Sequence, residues 1–415
     1  PYQLIPYGRN STFTGRKSLL ESLKGFTGGS SHCRIALHGL GGSGKTQIAL
    51  EYVYRCISES GCHVFWVHGS GLSKFSEEFR RIADHVPIPL ASAATDQEGF
   101  LLNIRKWLEG SNSGDWILVI DNADNDADFV GNTSPIAKYI PQGMKGTVIF
   151  TTRSRQVASR QGCKIIDVGR MGEEDALELF SKRFGSRGGL EAEEKKAIRG
   201  ILASVHHLPL AVIGAAAFMI ETRTPPSMYW TILQNSDEQA KRLLSQRFCD
   251  IQREVNVTES ILGTYFVTFN RIRQQMPPAA QLLRLIAFLD RQSIPEELLS
   301  QPYLEAMGDL VEFRQAIGRL LGFSLVTIIK CEEKVFYELH RLVQLSLQVY
   351  LPAKELNQGK AAALRVVSRL FPRYQNEWRC VGPVYISHAL AVTRDLGDPI
   401  AEELGFRMGR YFLDI

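Results

Sequence analysis

Five short apolar runs punctuate the first third of the chain: "RIALHG" (34–39), "HVFWVH" (63–68), "WILVID" (116–121), "TVIFTT" (147–152) and "KIIDV" (164–168). Each is compact and mostly β-branched or aromatic, with apolar residues at consecutive rather than alternate positions. That pattern predicts strands buried on both faces. Between the runs, residues 46–58, 73–86 and 97–109 carry apolar side chains at helical spacing. Strands alternating with helices predict an α/β domain, a five-stranded parallel sheet with helices on both faces.

From Gly172 the pattern changes to helices alone: "EEDALELFSKRF", then 191–206, 209–221 and 226–234, punctuated by "TPP" at 224–226 and the polar stretch 235–241. The longest apolar run here, "LPLAVIGAAAFMI" at 208–220, is too short for a membrane span and reads as a buried helix. A third segment begins near Val255, with helical patterns at 257–271 and 278–290, then "SIPEEL" and a helix at 309–321. A hairpin pattern follows, "SLVTII" and "VFYEL", turning through Cys331, Glu332 and Glu333. Helices closing on a hairpin predict a winged-helix domain. After "LPAKE" at 351–355 the remainder is helical. The expected domains are therefore a nucleotide-type α/β domain at 1–170, a helical domain at 171–254, a winged helix at 255–351 and a helical linker at 352–415.

Composition narrows the function classes. A chain of 415 residues exceeds one ordinary core, so two to four domains are expected. Lys and Arg number 48 against 44 Asp and Glu, a balance that signals neither nucleic acid nor a membrane surface. The seven cysteines (33, 56, 62, 163, 249, 331, 380) are scattered without a CxxC pair. They form neither a disulfide framework nor a zinc site, and a reducing cytoplasm is expected. The chain opens on Pro1, shows no signal peptide and stops in the amphipathic "MGRYFLDI", so it reads as part of something longer.

The chemistry concentrates at strand ends. "GLGGSGKT", Gly39 to Thr46, has the spacing G-x-x-x-x-G-K-[ST] between a strand and a helix. Gly41, Gly42 and Gly44 let the backbone turn its N–H groups onto phosphate oxygens, and the helix start adds its positive dipole end. Lys45 would reach the β and γ phosphates and Thr46 would ligate magnesium. Asp121 ends a buried strand at the same edge, where it would hold that ion through its water shell, although a strand-end acid can also cap a loop. The next residue is Asn122, whose amide has no titratable proton and can at most orient a water. Asp124 lies further into the loop. "TVIFTTR" ends on Thr151, Thr152 and Arg153, and a guanidinium suits a terminal phosphate.

Taken in order, these segments resemble the NB-ARC family of STAND P-loop nucleotidases, among them receptors of the NOD-like type and fungal members that carry tetratricopeptide repeats. "FTGRKSLLESL" (13–23) is similar to the family's adenine-side motif, with Thr14 where valine is more usual, followed by Gly15 and Arg16. "GLGGSGKTQIALEYV" resembles its P-loop, which brings Gly39, Ser43 and Gln47 into the nucleotide-binding set. "ILVIDNADN" resembles its Walker B segment and "GTVIFTTRSRQVA" its sensor, whose strand lies between the other two. "HHLPLAVIGAAAFM" (206–219) is similar to the GLPL motif, with His207 in place of the first glycine and Pro209 where the family packs a proline on adenine. "YELHRLVQLSLQVYL" (337–351) resembles the segment whose histidine, His340 here, touches the ADP β-phosphate, with Arg341 replacing the usual acid. "WRCVGPVYISHALAV" and "FRMGRYFLDI" look like a lead-in to tetratricopeptide repeats.

The resemblance implies an ADP- or ATP-binding, magnesium-dependent switch. It would be closed with ADP, open and self-associate after exchange for ATP, and act in innate immunity or regulated cell death, with the repeats sensing a ligand. Read as residues alone, Pro209 also suits the first turn of a buried helix and His340 a strand–helix junction. Two other classes stand beside the switch: an active P-loop ATPase with Lys45, Asp121 and Arg153 as its machinery, and a DNA-binding regulator built on the winged helix. The second is disfavoured by the 309–321 helix, where Arg314 and Arg319 are set against Asp309 and Glu312.

Overall fold

The computed structural model describes residues 1–27, 32–86, 97–131, 134–185, 191–235, 237–249, 258–300, 310–331, 334–372, 375–393 and 398–413. The chain forms two compact units, Pro1–Thr231 with Arg247–Glu259, and Ile232–Gln246 with Ser260–Ile415. The expected boundary at 254/255, Asp309 and the turn residues Glu332 and Glu333 lie outside the described residues.

The first unit is built on a parallel sheet of six strands: β1 (Gln3–Leu4), β2 (Cys33–His38), β3 (His63–His68), β4 (Trp116–Asp121), β5 (Thr147–Thr152) and β6 (Lys164–Asp167). Their order across the sheet is β1-β3-β4-β5-β2-β6. The five apolar runs account for β2 to β6. The sixth strand corrects the five-strand expectation. Its two residues pair with Val64 and Phe65 at the sheet edge, too short a stretch to carry an apolar period. Backbone pairing holds it there, and the preceding Tyr2 N–H donates to His63 Nδ1 at 2.7 Å.

Both sheet faces are covered, as consecutive apolar residues require. Leu118 and Ile120 of β4 point into a core with Phe65, Phe75, Phe79, Val148 and Phe150. Their neighbours Ile117 and Val119 point the other way, into a core with Ile35, Leu37, Ile48, Val53 and Trp66. Burying a side chain of this size contributes about 1.5–3 kcal/mol, so the strand register is strongly fixed. That register brings His38 opposite Thr152, and His68 opposite Asp121, so the polar ends of β2 to β5 share one edge.

Two helices frame that edge. Helix α1 (Lys17–Thr27) buries Leu20 and Leu23. Helix α2 (Lys45–Ser60) starts after Gly44 and stops at Gly61, which has φ 65° and whose N–H returns to the Ile57 carbonyl. Helices Glu173–Phe184, Ala192–Ser204 and Pro209–Glu221 follow, the last opening on proline, where the missing N–H costs nothing.

In the second unit and the 247–259 segment, two helix expectations are corrected. The polar stretch 235–241 predicts a break, yet Asp237–Leu244 is helical, and its half-buried Lys241 pairs with the exposed Glu238 at 2.7 Å. Conversely, the helical pattern over 257–271 opens as a short strand, Thr258–Ser260, and the α-helix runs from Phe266 to Gln275. Further on, helix Leu310–Gly322 precedes an antiparallel hairpin of Val326–Cys331 and Lys334–Leu339, so Cys331 closes a strand. A third strand, Ile294–Pro295, pairs with the hairpin at Tyr337 and Phe336. Helices Arg341–Tyr350, Ala353–Leu370, Gln375–Val392 and Pro399–Leu413 complete the unit. Among the described residues no helix is long and apolar enough to cross a membrane.

Candidate functional site

The phosphate cradle is the turn between β2 and α2. Gly44 sits at the helix N-cap with φ 91°, a left-handed conformation that side chains resist. Gly42, at φ 79°, meets a different constraint: a Cβ there would lie 2.8 Å from Leu210 Cβ. The Leu210 N–H also donates to the Gly42 carbonyl at 3.2 Å. The Pro209–Glu221 helix thus begins against the loop, with Pro209 Cγ 3.8 Å from where a Gly44 Cβ would stand. His207, at the position where the resemblance expects glycine, keeps the left-handed backbone with φ 52°.

Lys45 is nearly buried, and its ammonium donates to the carbonyls of Gly39 at 2.9 Å and Leu40 at 2.8 Å. The Ser43 hydroxyl is buried in the same loop with no hydrogen-bond partner among the described residues. A buried donor without an acceptor is costly, by about 1–3 kcal/mol, so the loop fits an anion that supplies one. A phosphate chain does so.

Asp121 lies beside the cradle and is almost fully buried. It accepts from the Thr46 hydroxyl at 2.9 Å and, through the same oxygen, from the Thr151 hydroxyl. Burial pushes its carboxyl above the usual aspartate range, and the hydroxyls of Thr151 and Thr46 only partly oppose that shift. A divalent cation would relieve the same desolvation. The hydroxyl of Thr46 and the carboxylate of Asp121 are hard oxygen donors side by side, which fits magnesium; in nucleotide sites that ion takes one or two protein oxygens and completes its shell with phosphate and water.

The loop after Asp121 folds onto the end of β5. Asn122 adopts φ 58° and donates its N–H to Thr151 Oγ1 at 3.0 Å. Asp124 binds Arg153 twice: Oδ1 accepts the Arg153 backbone N–H at 2.7 Å and Oδ2 lies 3.3 Å from Nε. Thr152 Oγ1 donates to the Ala123 carbonyl at 2.6 Å, and Ser154 Oγ donates to Asp126 at 2.6 Å. Arg153 stands out in the sequence without this partner, because Asp124 lies 29 residues away and no local spacing links them.

The segment around Thr14 and Arg16 is also tied to the loop. Arg16 donates from Nη2 to the Ser43 carbonyl at 3.1 Å and the Gly169 carbonyl at 2.7 Å, and from Nη1 to the Arg170 carbonyl at 3.0 Å. Its backbone N–H reaches Asp175 at 3.3 Å. The Thr14 hydroxyl donates to the Thr12 carbonyl at 2.9 Å and accepts from Lys182 at 3.1 Å, while Gln47 Oε1 accepts from Asn10 at 2.8 Å. One unit therefore gathers Thr14, Gly15, Arg16, the whole of Gly39–Gln47, Asp121, Arg153 and Pro209. His340 belongs to the other unit, where its Nδ1 caps the Arg341–Tyr350 helix by accepting from the Leu342 N–H at 3.1 Å.

Comparison with known proteins gives this arrangement its lineage. Residues 17–188 match the NB-ARC domain, and residues 270–356 match a domain of unknown function, DUF7779. A nucleotide-binding leucine-rich repeat (NLR)-like protein of Hyaloscypha variabilis is 32% identical over 406 residues, covering 93% of this chain and 40% of that protein. The regulatory protein AfsR of Streptomyces coelicolor is 25% identical over 294 residues, covering 68% of this chain and 27% of AfsR. The chain thus spans well under half the length of these relatives. Among solved structures, a STAND protein with a tetratricopeptide repeat sensor from Pyrococcus horikoshii superposes with a TM-score of 0.35 at 15% identity, covering 98% of this chain and 52% of that one. An ORC2 protein of Aeropyrum pernix gives 0.44 at 14% identity, covering 83% and 96%. With its cradle, strand-end aspartate and Arg153 all inside the matched NB-ARC segment, the chain belongs to the NB-ARC family.

Proposed function

We propose that the chain is the nucleotide switch of a NOD-like-receptor-type signalling protein. ADP holds it closed, exchange for ATP opens it, and the open form self-associates. The observation that carries this reading is a complete phosphate cradle whose strand-end acid is followed by an amide. Asn122 cannot take a proton from an attacking water. The next carboxylate, Asp124, is engaged by Arg153. Hydrolysis is therefore slow, and the bound nucleotide acts chiefly as a ligand that stabilises one conformation by mass action.

In this reading Gly39, Gly41, Gly42, Ser43, Gly44 and Lys45 hold the phosphates, Thr46 and Asp121 hold magnesium, and Arg153 faces the terminal phosphate. Magnesium, when bound, would neutralise charge between the β and γ phosphates. Thr14, Gly15, Arg16, Gln47 and Pro209 form the adenine side. His340, from the winged-helix domain at 255–351, reaches the ADP β-phosphate, and 352–415 leads into repeats that sense a ligand. The helical domain is 171–254. Likeness to the Hyaloscypha NLR-like protein supports the receptor-type assignment, and the proposed setting is innate immunity or regulated cell death in the cytoplasm.

The basic residues of the 310–322 helix weigh against DNA binding. Arg314 is paired with Glu296 at 2.7 and 2.8 Å, and Arg319 bonds Gln275. The test is steady-state turnover of ATP by the purified chain. The switch predicts a rate far below the ordinary enzyme range of ~1 to 10³ per second; a rate inside that range makes it an active ATPase.

A further inference from the structure

The carboxylate of Asp124 uses both oxygens on one residue. Oδ1 takes the Arg153 backbone N–H at 2.7 Å, and Oδ2 pairs with the guanidinium Nε at 3.3 Å. Both side chains are largely removed from water, at 9% and 18% exposure, so solvent screens the pair weakly. The surrounding loop is fixed around it. The Ala123 N–H donates to the Thr151 carbonyl at 2.9 Å, and the Asp124 N–H donates to the Asn122 carbonyl at 2.8 Å. Thr152 and Ser154 tie the same two loops together on either side of Arg153. This is a built contact, with the acid held in place by backbone bonds that do not involve its charge.

We propose that Asp124 is a specificity-determining residue: it occupies the sensor arginine, and so lowers the affinity for a nucleoside triphosphate relative to the diphosphate. The inference rests on the reading of Arg153 as facing the terminal phosphate. A diphosphate leaves the Asp124–Arg153 pair undisturbed. A triphosphate brings additional negative charge to the guanidinium, which must then loosen its hold on one anion to bind the other. Because the Arg153 N–H anchors Oδ1, the displaced carboxylate stays close to the incoming phosphate and repels it. Both effects act on the triphosphate alone. The preference for ADP is then set by a neighbour of the sensor, with no change in the cradle.

The test is a nucleotide-selectivity ratio, measured by calorimetry with Mg-ATP and with ADP on wild type and Asp124→Asn. Asparagine keeps an acceptor for the Arg153 N–H and removes the charge. The ratio of Kd for ATP to Kd for ADP should fall on the order of tenfold, with ADP affinity nearly unchanged. In an Arg153→Gln background the same substitution should move the ratio little, because the arginine it frees is gone. Asp124→Ala repeats the measurement should the asparagine variant fold poorly. An unchanged ratio, with both nucleotides still bound, overturns the proposal. Loss of both nucleotides from wild type would instead overturn the P-loop reading beneath it. An unchanged ratio with abolished single-turnover hydrolysis would make Asp124 a base.

Discussion

The two ends of the nucleotide site are built on opposite principles. In the phosphate cradle, the Ser43 hydroxyl is buried with no hydrogen-bond partner among the described residues, so a donor is left for an anion from outside. At the end of β5, by contrast, the Asp124 carboxylate pairs with Arg153. On the proposed reading, the difference leaves the site open to the inner phosphates and internally paired where a terminal phosphate would add. A diphosphate would then collect most of the available interaction, as the proposed ADP-resting switch requires.

The largest effect should come from removing the cradle's charge. Lys45→Ala deletes the ammonium, and hydrogen bonds to charged groups contribute about 1.5–3 kcal/mol each, so binding of either nucleotide should fall roughly a hundredfold or more. The thermal stabilisation by added ADP should vanish with it. Calorimetry and melting curves with and without ADP check both. Selective loss of one nucleotide would break the contrast between the two ends.

His340 offers a smaller and sharper test. Its Nδ1 caps a helix, a contact whose loss costs on the order of 1 kcal/mol whatever the nucleotide does. If the ring also reaches the β-phosphate, His340→Ala should speed release of a fluorescent ADP analogue by roughly tenfold. Asparagine is a good capping residue without an imidazole. Release from His340→Asn should stay fast if the ring contacts ADP. Release restored to the wild-type rate would reduce His340 to a cap.

The smallest effect concerns stability without ligand. Burial raises the Asp121 carboxyl above its unfolded value, so the folded state holds the proton more tightly. The associated stability is present at acid pH and is lost as pH rises through the folded value. At neutral pH the buried charge is a cost, and Asp121→Asn should relieve it. The nucleotide-free melting temperature should rise, by roughly 2–4 °C for each ~1 kcal/mol relieved, and the gain should shrink on acidification. The same variant should lose magnesium-dependent ATP binding. A lower melting temperature across the pH range would show that the hydroxyls of Thr46 and Thr151 already compensate the charge.

What the sequence disclosed followed range. The cradle is contiguous, so Gly39 to Thr46 and the helix behind it were legible as a motif with its flanking strand. The runs that became β2 to β6 were legible because strands buried on both faces must be apolar throughout. Gln3–Leu4 was not, since two edge residues held by backbone pairing have no pattern. Helix Asp237–Leu244 hid behind its polarity, although Glu238 and Lys241 stand at helical spacing. Arg16 was legible as part of a motif, but its bonds to the Ser43, Gly169 and Arg170 carbonyls depend on turns far apart in the chain. Asp124 was visible as an acid in the loop, while its engagement with Arg153 was a tertiary fact.

The most direct test of the switch is the nucleotide that the purified protein carries. The chain should be denatured after gel filtration and the released nucleotide identified and counted by ion-exchange chromatography. A cradle preorganised for inner phosphates beside a self-neutralised sensor predicts close to one ADP per chain, retained without added nucleotide. An empty site, or ATP at that occupancy, would contradict the account.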